Sequence, residues 1–182
     1  KMIIKKTFNQ IGFQKSGKAL PLKIDLIEKI YGEGSFECFS EDTENNFVFS
    51  QSRSFDLIEL EQLLQAVGWS RRPFRRVRRA IDNSLLKVGL WRHDSKFPRL
   101  IGFARCTGDG VLEATVWDVA ISPSYQGYGF GKKLMSYVVQ SIRDMGIKKI
   151  VLFADPGVID FYKSQGWILE PKGKRCAFWY AN

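Results

Sequence analysis

Residues 119–132 read VAISPSYQGYGFGK. An apolar strand leads through Pro123 into a turn with glycine at every second position, Gly127, Gly129 and Gly131, and a helical pattern follows. Such a turn leaves backbone N–H groups unpaired at the positive end of a helix, where phosphates bind. Glycine suits it because a Cβ atom would hold a phosphate away and because positive φ angles cost glycine little. The stretch therefore predicts a diphosphate-binding strand–turn–helix unit. It lacks the spacing of a GxGxxG fingerprint or a P-loop.

The rest of the chain alternates between period-2 and helical patterns, which predicts an α/β domain of the α+β kind. The predicted helices are residues 57–67, 74–81, 134–142 and 158–162. The predicted strands are residues 47–49, 86–91, 100–106, 112–121, 147–153, 167–169 and 177–180. Residues 1–45 show no comparable period and are expected to form an N-terminal extension or arm, with residues 46–182 as the folded domain.

Composition limits the possible functions. The 182 residues suffice for one domain, and the net charge of +9 favours anionic partners. No apolar run approaches the roughly 20 residues of a membrane helix. The three widely spaced cysteines, Cys38, Cys106 and Cys176, favour free thiols in a reducing compartment over a zinc site or a disulfide framework, so no metal is predicted.

Two blocks of sequence resemble the GNAT superfamily of acyl-CoA-dependent N-acetyltransferases. Gln126–Gly131 matches the family signature of Gln or Arg, two residues, Gly, one residue, then Gly or Ala. Phe161–Trp167 matches the aromatic-Tyr block that ends the last helix of the family. The resemblance covers about three quarters of the chain. It implies the GNAT fold, in which a mixed central sheet flanked by helices splays at the acetyl-CoA site.

The same resemblance implies the cosubstrate contacts. Amides of the turn would hold the CoA pyrophosphate, the pantetheine arm would pair with the preceding strand, and the main chain of Val119 would lie beside the thioester carbonyl. The expected acetyl-CoA contacts are Val119, Ala120, Ile121, Gln126, Gly127, Tyr128, Gly129, Phe130, Gly131, Lys132, Asp155 and Tyr162.

Acetyl transfer to an amine needs a base for the ammonium group and an acid for the departing thiolate. Tyr162 is the expected acid, since a phenol is protonated at neutral pH. Asp155, seven residues earlier, is the favoured base, as in the plastid and cyanobacterial serotonin-type N-acetyltransferases that this sequence most resembles. Most GNAT proteins carry Asn there. Asp118 is the rival base, although it could instead be a structural acceptor.

Six arginines lie within nine residues, from Arg71 to Arg79. They predict either a solvated basic helix or a surface that recruits an acidic protein partner. The run contains no base-reading motif, so sequence-specific DNA binding is not expected. Trp91, Trp117 and Tyr125 could line an aromatic amine pocket or fill the core, and His93 is expected in a solvated turn.

These features together predict transfer of an acetyl group from acetyl-CoA to a primary amine by direct attack in a ternary complex. The acceptor would be an arylalkylamine such as serotonin, or a lysine or N-terminal amine of a protein. The alternative is an acetyl-CoA-binding scaffold that docks partners through its basic helix and N-terminal arm. The serotonin-type resemblance implies the plastid stroma or the cyanobacterial cytoplasm.

Overall fold

The computed structural model describes residues 36–37, 46–51, 54–93, 98–174 and 177. Most of the predicted arm, and most of the strand expected at residues 177–180, lie outside these ranges. Phe36–Glu37 nevertheless pairs with the strand at Phe47–Ser50, so part of the first 45 residues joins the sheet edge.

Six strands form one sheet in the order in which they occur along the chain. The strands are β1 (Phe36–Glu37), β2 (Phe47–Ser50), β3 (Leu86–Arg92), β4 (Arg99–Gly108), β5 (Glu113–Ile121) and β6 (Lys149–Leu152). Neighbours from β1 to β5 are antiparallel, whereas β5 and β6 are parallel. A parallel pair needs a crossover, and a long helix supplies it here. The mixed sheet with flanking helices confirms the predicted fold class.

Within the described ranges, four α-helices flank this sheet: α1 (Leu57–Ala66), α2 (Phe74–Asp82), α3 (Phe130–Asp144) and α4 (Ile159–Lys163). Asp56 caps α1 by accepting hydrogen bonds from the amides of Ile58 and Glu59 at 2.7 and 3.4 Å. All four predicted helices are present, and their ends differ from the predicted ones by a few residues.

Apolar side chains pack on both faces of the sheet. On one face, α3 buries Leu134, Val138 and Ile142 against the central strands. On the other, α1 and α2 bury side chains such as Leu60, Val77 and Ile81 against Phe103 and its neighbours. Cys106 is a buried free thiol whose burial raises its pKa to about 12.

The strand predicted at residues 167–169 is wrong. The Trp167 amide donates a hydrogen bond to the Tyr162 carbonyl at 3.2 Å, so this residue closes the turn after α4 instead of entering the sheet. Ile168 and Leu169 are 78% and 40% exposed. Their apolar character alone suggested a strand, but no sheet partner lies beside them among the described residues.

Candidate active site

A β-bulge distorts β5 next to the glycine-rich turn. Phe103 pairs with Ala120 and Arg105 pairs with Trp117, so two residues of β5, Asp118 and Val119, oppose one residue of β4. Asp118 adopts a φ of 54°, which is left-handed backbone. A bulge bends its strand and increases the local twist, so β5 turns away from its parallel neighbour here.

The parallel pair β5–β6 consequently separates after a short junction. Pairing extends only from Glu113 opposite Lys149 to Val116 opposite Leu152, whereas β5 continues to Ile121. Among the described residues, no strand pairs with this side of β5 beyond Val116. We call the space beside residues 117–121 the β5–β6 gap. Its open strand edge is suited to an extended ligand carrying amide groups, and the predicted splay is present.

Aromatic rings mark the narrow end of this gap. The rings of Trp117 and Phe153 lie 5.2 Å apart between centroids, one from β5 and one from the residue that follows β6. The Trp117 indole N–H also donates a hydrogen bond to the Thr107 hydroxyl at 2.9 Å. Trp117 therefore has a fixed position where the two strands part.

The glycine-rich turn lies at the other end of β5. The Gln126 side-chain amide donates a hydrogen bond to the Ile121 carbonyl at 2.9 Å, tying the turn to the strand end. Gly127 and Gly129 have φ angles of 84° and 82°, and a Cβ atom at either would meet nothing within 4 Å. Both glycines thus meet the expected conformational requirement, and the space beside them is open.

Unpaired amides line this turn. Among the described residues, none accepts a hydrogen bond from the backbone N–H groups of residues 127–132, and the first amide in α3 with a partner is that of Lys133. No side chain caps α3, whose preceding residue is Gly129. Six consecutive donors at a helix N-terminus, with the exposed Lys132 among them, fit a diphosphate.

A different constraint acts at Gly131 from that at the other two glycines. A Cβ atom there would lie 3.3 Å from two ring carbons of Phe161. The third glycine therefore allows α4 to approach α3 closely. This contact places the second signature block beside the first, which the sequence pattern did not indicate.

Tyr162 lies on α4, next to this contact. It is 7% exposed and its ring packs edge-on against Phe161 and Trp167, with centroids 5.0 and 6.0 Å away. Burial, and secondarily the negative charge of Asp155, raise the pKa of the Tyr162 phenol above its ordinary value. The hydroxyl therefore stays protonated at neutral pH, as a general acid requires.

Asp155 lies between β6 and the 3-10 turn Pro156–Val158, and it is exposed. Its carbonyl accepts a hydrogen bond from the Val158 amide at 3.0 Å, and its charge acts on Tyr162. Both residues thus belong to the segment that follows β6.

Asp118 is held by two arginines. Arg72 donates two hydrogen bonds to its carboxylate, at 2.9 and 3.1 Å, and the Arg105 Nε donates a third at 2.5 Å. Burial on its own would raise the pKa of Asp118, but these hydrogen bonds and positive charges outweigh it and hold the pKa below its ordinary value. Such a carboxylate is a weak proton acceptor, so the geometry favours the structural alternative.

Glu61 and Arg72 extend this ion-pair network, and sequence reasoning assigned neither a role at the site. Glu61 is 4% exposed, and its Oε1 accepts a hydrogen bond from the Arg72 amide at 3.0 Å. It thereby positions the residue that grips Asp118. The available signal was a glutamate at a core-facing position of α1, directly after Leu60 and three residues before Leu64.

The three aromatic candidates for an amine pocket do not come together. Trp91 is buried in the core beneath α1 and stacks on Phe55. Tyr125 packs against Phe130 on the α3 side, and its hydroxyl accepts a hydrogen bond from Arg92 at 2.6 Å. Trp117 alone of the three borders the gap, so the core interpretation holds for the other two.

His93 does not lie in a solvated turn as expected. It is half-buried at the end of β3, its amide bonds the Asn46 carbonyl at 2.6 Å, and burial lowers its pKa. In the part of the chain that the structure describes, no helix is long and apolar enough to cross a membrane. No cluster of three potential metal-ligating side chains occurs within those same ranges.

Known proteins resemble this chain in sequence and fold. A model of the Acetyltransferase (GNAT) family matches residues 54–167. An uncharacterized N-acetyltransferase, ycf52-like, from Prochlorococcus marinus is 71% identical over 154 residues, which cover 85% of this chain and 86% of the relative. Serotonin N-acetyltransferase 2, chloroplastic, from Oryza sativa subsp. japonica is 37% identical over 134 residues, covering 72% and 66% of the two chains.

Solved structures share the fold. A probable acetyltransferase from meticillin-resistant Staphylococcus aureus superposes with a TM-score of 0.61 and 24% identity, over 74% of this chain and 99% of the other. At this identity the likeness shows the architecture alone.

Proposed function

Because this chain belongs to the GNAT acetyltransferase family and is an acetyl-CoA-dependent N-acetyltransferase, we propose that it acetylates a primary amine by direct attack in a ternary complex. The acceptor class is an arylalkylamine such as serotonin, or a lysine or N-terminal amine of a protein. The observation that carries this proposal is the β5–β6 gap, with six unpaired amides at one end. The segment that follows β6 carries Asp155 and Tyr162, and the charge of Asp155 acts on the Tyr162 phenol.

Residues of β5 and the turn would hold the cosubstrate, which supplies an acetyl group activated as a thioester. The amides of residues 127–132, with Gln126 fixing the turn, suit the diphosphate, and the Lys132 side chain adds positive charge. The edge of β5 from Val119 through Ala120 to Ile121 offers backbone groups to the pantetheine amides. The bulge at Asp118 and Val119 would aim the thioester carbonyl at the acceptor nitrogen.

The two proton transfers fall to Asp155 and Tyr162. Asp155 takes a proton from the acceptor ammonium, directly or through one water, so that the nitrogen lone pair can attack the carbonyl carbon. As the C–N bond forms and the C–S bond breaks, the Tyr162 hydroxyl donates its proton to the departing sulfur. Its raised pKa keeps that proton available across the neutral range. The nitrogen loses its second proton as the amide forms, and this proton restores the Tyr162 phenol, while Asp155 releases its own proton to water. Asp118 serves as a positioning residue rather than as the base.

Purified protein tests this assignment with two measurements. Calorimetry should detect acetyl-CoA binding, and release of the CoA thiol should require an amine from a panel of serotonin, tyramine and peptides. Binding with no release for any amine would contradict the enzymatic proposal and favour the scaffold, for which exposed arginines on α2 would be docking groups. Absence of binding would contradict both.

Two further proposals concern organisation and location. We propose that residues 46–182 form the catalytic domain and that residues 1–45 form an arm, consistent with the family match at residues 54–167 and with the pairing of Phe36–Glu37 to the sheet edge. The Prochlorococcus and chloroplastic rice relatives support a location in a cyanobacterial cytoplasm or a plastid stroma. Fractionation with an antibody to the native protein tests the location.

A further inference from the structure

Five arginines form an exposed basic surface, four of them on α2 and one three residues before the helix begins. We call this the arginine surface; its members are Arg71, Arg75, Arg76, Arg78 and Arg79. Within the described ranges, no carboxylate forms an ion pair with any of them. The surface therefore concentrates positive charge without neutralising it.

Folding does not account for this charge. The side chains that attach α2 to the molecule are Val77 and Ile81, which are 6% and 3% exposed. Arginines on neighbouring turns of a helix repel one another, so their concentration costs stability. A negatively charged binding partner would offset that cost.

The sixth arginine connects this surface to the reaction centre. Arg72 turns inward and holds the Asp118 carboxylate at the bulge, immediately before Val119. Arg71, its neighbour, lies over the Phe74 ring at 5.3 Å and helps to line a groove of about 340 Å³ with Arg72 and Pro73. The arginine surface thus begins one residue from a group that contacts the acetyl-transfer site and continues along α2.

We propose that the acceptor amine belongs to an acidic peptide segment, whose carboxylates bind the arginine surface while its amine reaches the β5–β6 gap. This inference rests on the proposed function. Because Arg71 directly precedes the residue that holds Asp118, and an extended peptide advances about 3.3 Å per residue, carboxylates a few residues from the amine are the ones expected to meet the arginines. Guanidinium groups pair with carboxylates in bidentate geometry.

A peptide fits this surface better than a nucleic acid does. Proteins bind single-stranded nucleic acids through aromatic side chains on which the bases stack. Phe74 is the only aromatic residue of α2, and Arg71 already covers its ring. The acceptor must also carry a primary amine close to its negative charges. The N-terminal amine of a protein, or a lysine side chain, supplies both the amine and the nearby negative charge when aspartates and glutamates lie beside it.

Acetylation of matched peptides tests the inference. Three peptides with one amine each would carry acidic, neutral or basic residues at the second to fifth positions from that amine. The wild-type protein should show a kcat/KM for the acidic peptide at least tenfold above that for the neutral one, with the basic peptide lowest. The advantage should shrink at high salt, which screens exposed charges. In the double variant Arg75→Gln/Arg76→Gln, the ratio of kcat/KM for the acidic peptide to that for the neutral peptide should fall several-fold.

A control variant removes the same charge elsewhere. Arg143→Gln/Lys148→Gln changes two exposed residues away from α2, one in the last turn of α3 and one just before β6, and should keep the wild-type ratio. Equal rates for the three peptides, or equal effects of the two variants, would overturn the inference while leaving the N-acetyltransferase proposal intact. Absence of turnover with every peptide and with serotonin and tyramine would instead overturn the proposed function. Competition by single-stranded RNA stronger than by a non-acetylatable acidic peptide would favour a nucleic acid partner and overturn the peptide inference.

Discussion

The Asp118 backbone adopts a conformation that few side chains tolerate, and the surrounding charges stabilise it. A non-glycine residue at a φ of 54° costs about 1–2 kcal/mol. The hydrogen bonds from Arg72 and Arg105 offset this cost and fix the bulge from opposite sides, one from the α1–α2 connection and one from β4. The Asp118 carboxylate therefore links the α1–α2 connection to β4 at the bulge.

Asp118→Asn should lower the free energy of unfolding by about 1–3 kcal/mol, with the Arg72 contribution small because that side chain is 39% exposed. Because folding depresses the pKa of Asp118, its stabilisation is present above the unfolded value of about 3.9 and is lost as the pH falls through the folded value. Urea unfolding of both proteins at pH 7 and pH 3 should therefore show a difference that shrinks in acid. The pH profile of kcat should keep its wild-type midpoints; a shift in the acidic midpoint would instead identify Asp118 as the base.

Tyr162→Phe should reduce kcat about 10²- to 10⁴-fold, because the thiolate then departs without a proton donor. Acetyl-CoA affinity, measured by calorimetry, should change little. The raised pKa of Tyr162 also predicts that the wild-type rate declines only above the ordinary phenol value of about 10. Tyr137→Phe is a matched control, since Tyr137 is a half-buried α3 tyrosine bonded to Gln51 outside the site. Equal losses of rate and affinity in Tyr162→Phe would contradict the acid role.

Asp155→Asn should leave activity only at high pH, where the acceptor amine loses its proton without assistance. Rates from pH 6 to 10 would show this as a loss that becomes smaller as the pH rises. Asp160→Asn removes an exposed carboxylate from α4 and should behave as wild type. A neutral-pH rate that survives in Asp155→Asn would exclude this residue as the base.

At the scale of the elements, the proposed cosubstrate site is formed by the glycine-rich turn together with α3. Gly129 precedes α3 and Gly146 follows it, with φ angles of 82° and 88° and no heavy atom within 4 Å of a Cβ at either position. The two glycines therefore adopt the same left-handed backbone conformation at opposite ends of α3. Only Gly129 lies among the unpaired amides.

Alanine at these two positions separates folding from binding. Gly129→Ala and Gly146→Ala should each cost about 1–2 kcal/mol of stability, because both force alanine into left-handed backbone. Gly129→Ala should also weaken acetyl-CoA binding by about tenfold, or about 1.4 kcal/mol, whereas Gly146→Ala should not. Chemical unfolding and calorimetry would measure the two effects. Equal acetyl-CoA affinities of the two variants would contradict a binding role for the unpaired amides of the turn.

Local features of these elements could be predicted from the sequence, and contacts between distant segments could not. The strand–turn–helix at residues 119–132 and the helix around Tyr162 follow from neighbouring residues, because glycine placement and apolar spacing are local signals. The grip of Arg72 on Asp118 joins residues 46 positions apart, and no spacing rule specifies it. The predicted strand at residues 167–169 failed because apolar side chains alone do not supply a sheet partner.

At the scale of the whole molecule, the β5–β6 gap divides the sheet from the segment that carries Asp155 and Tyr162. Only four residue pairs join β5 to β6, and the contact of Phe161 with Gly131 bridges the same two parts further along. A ligand that fills the gap contacts both parts and should therefore stabilise the molecule as a unit.

Acetyl-CoA at a hundredfold excess over its Kd should add about 2.7 kcal/mol of stability and raise Tm by about 5–10 °C. S-acetylpantetheine lacks the diphosphate and should produce a much smaller shift at the same concentration. Thermal unfolding with each ligand would measure the difference. Equal shifts would show that the unpaired amides of the turn contribute little to binding.

The tight space at Gly131, where a Cβ atom would lie 3.3 Å from the Phe161 ring, has an evolutionary consequence. A larger residue at position 131 would be accommodated only if the ring at position 161 became smaller or the short helix that carries it moved. Across a lineage, these two sites are therefore expected to covary, with substitutions at one restoring the fit lost at the other. The nucleotide cradle and the proton donor would then be inherited as a single linked unit, although thirty residues separate them along the chain.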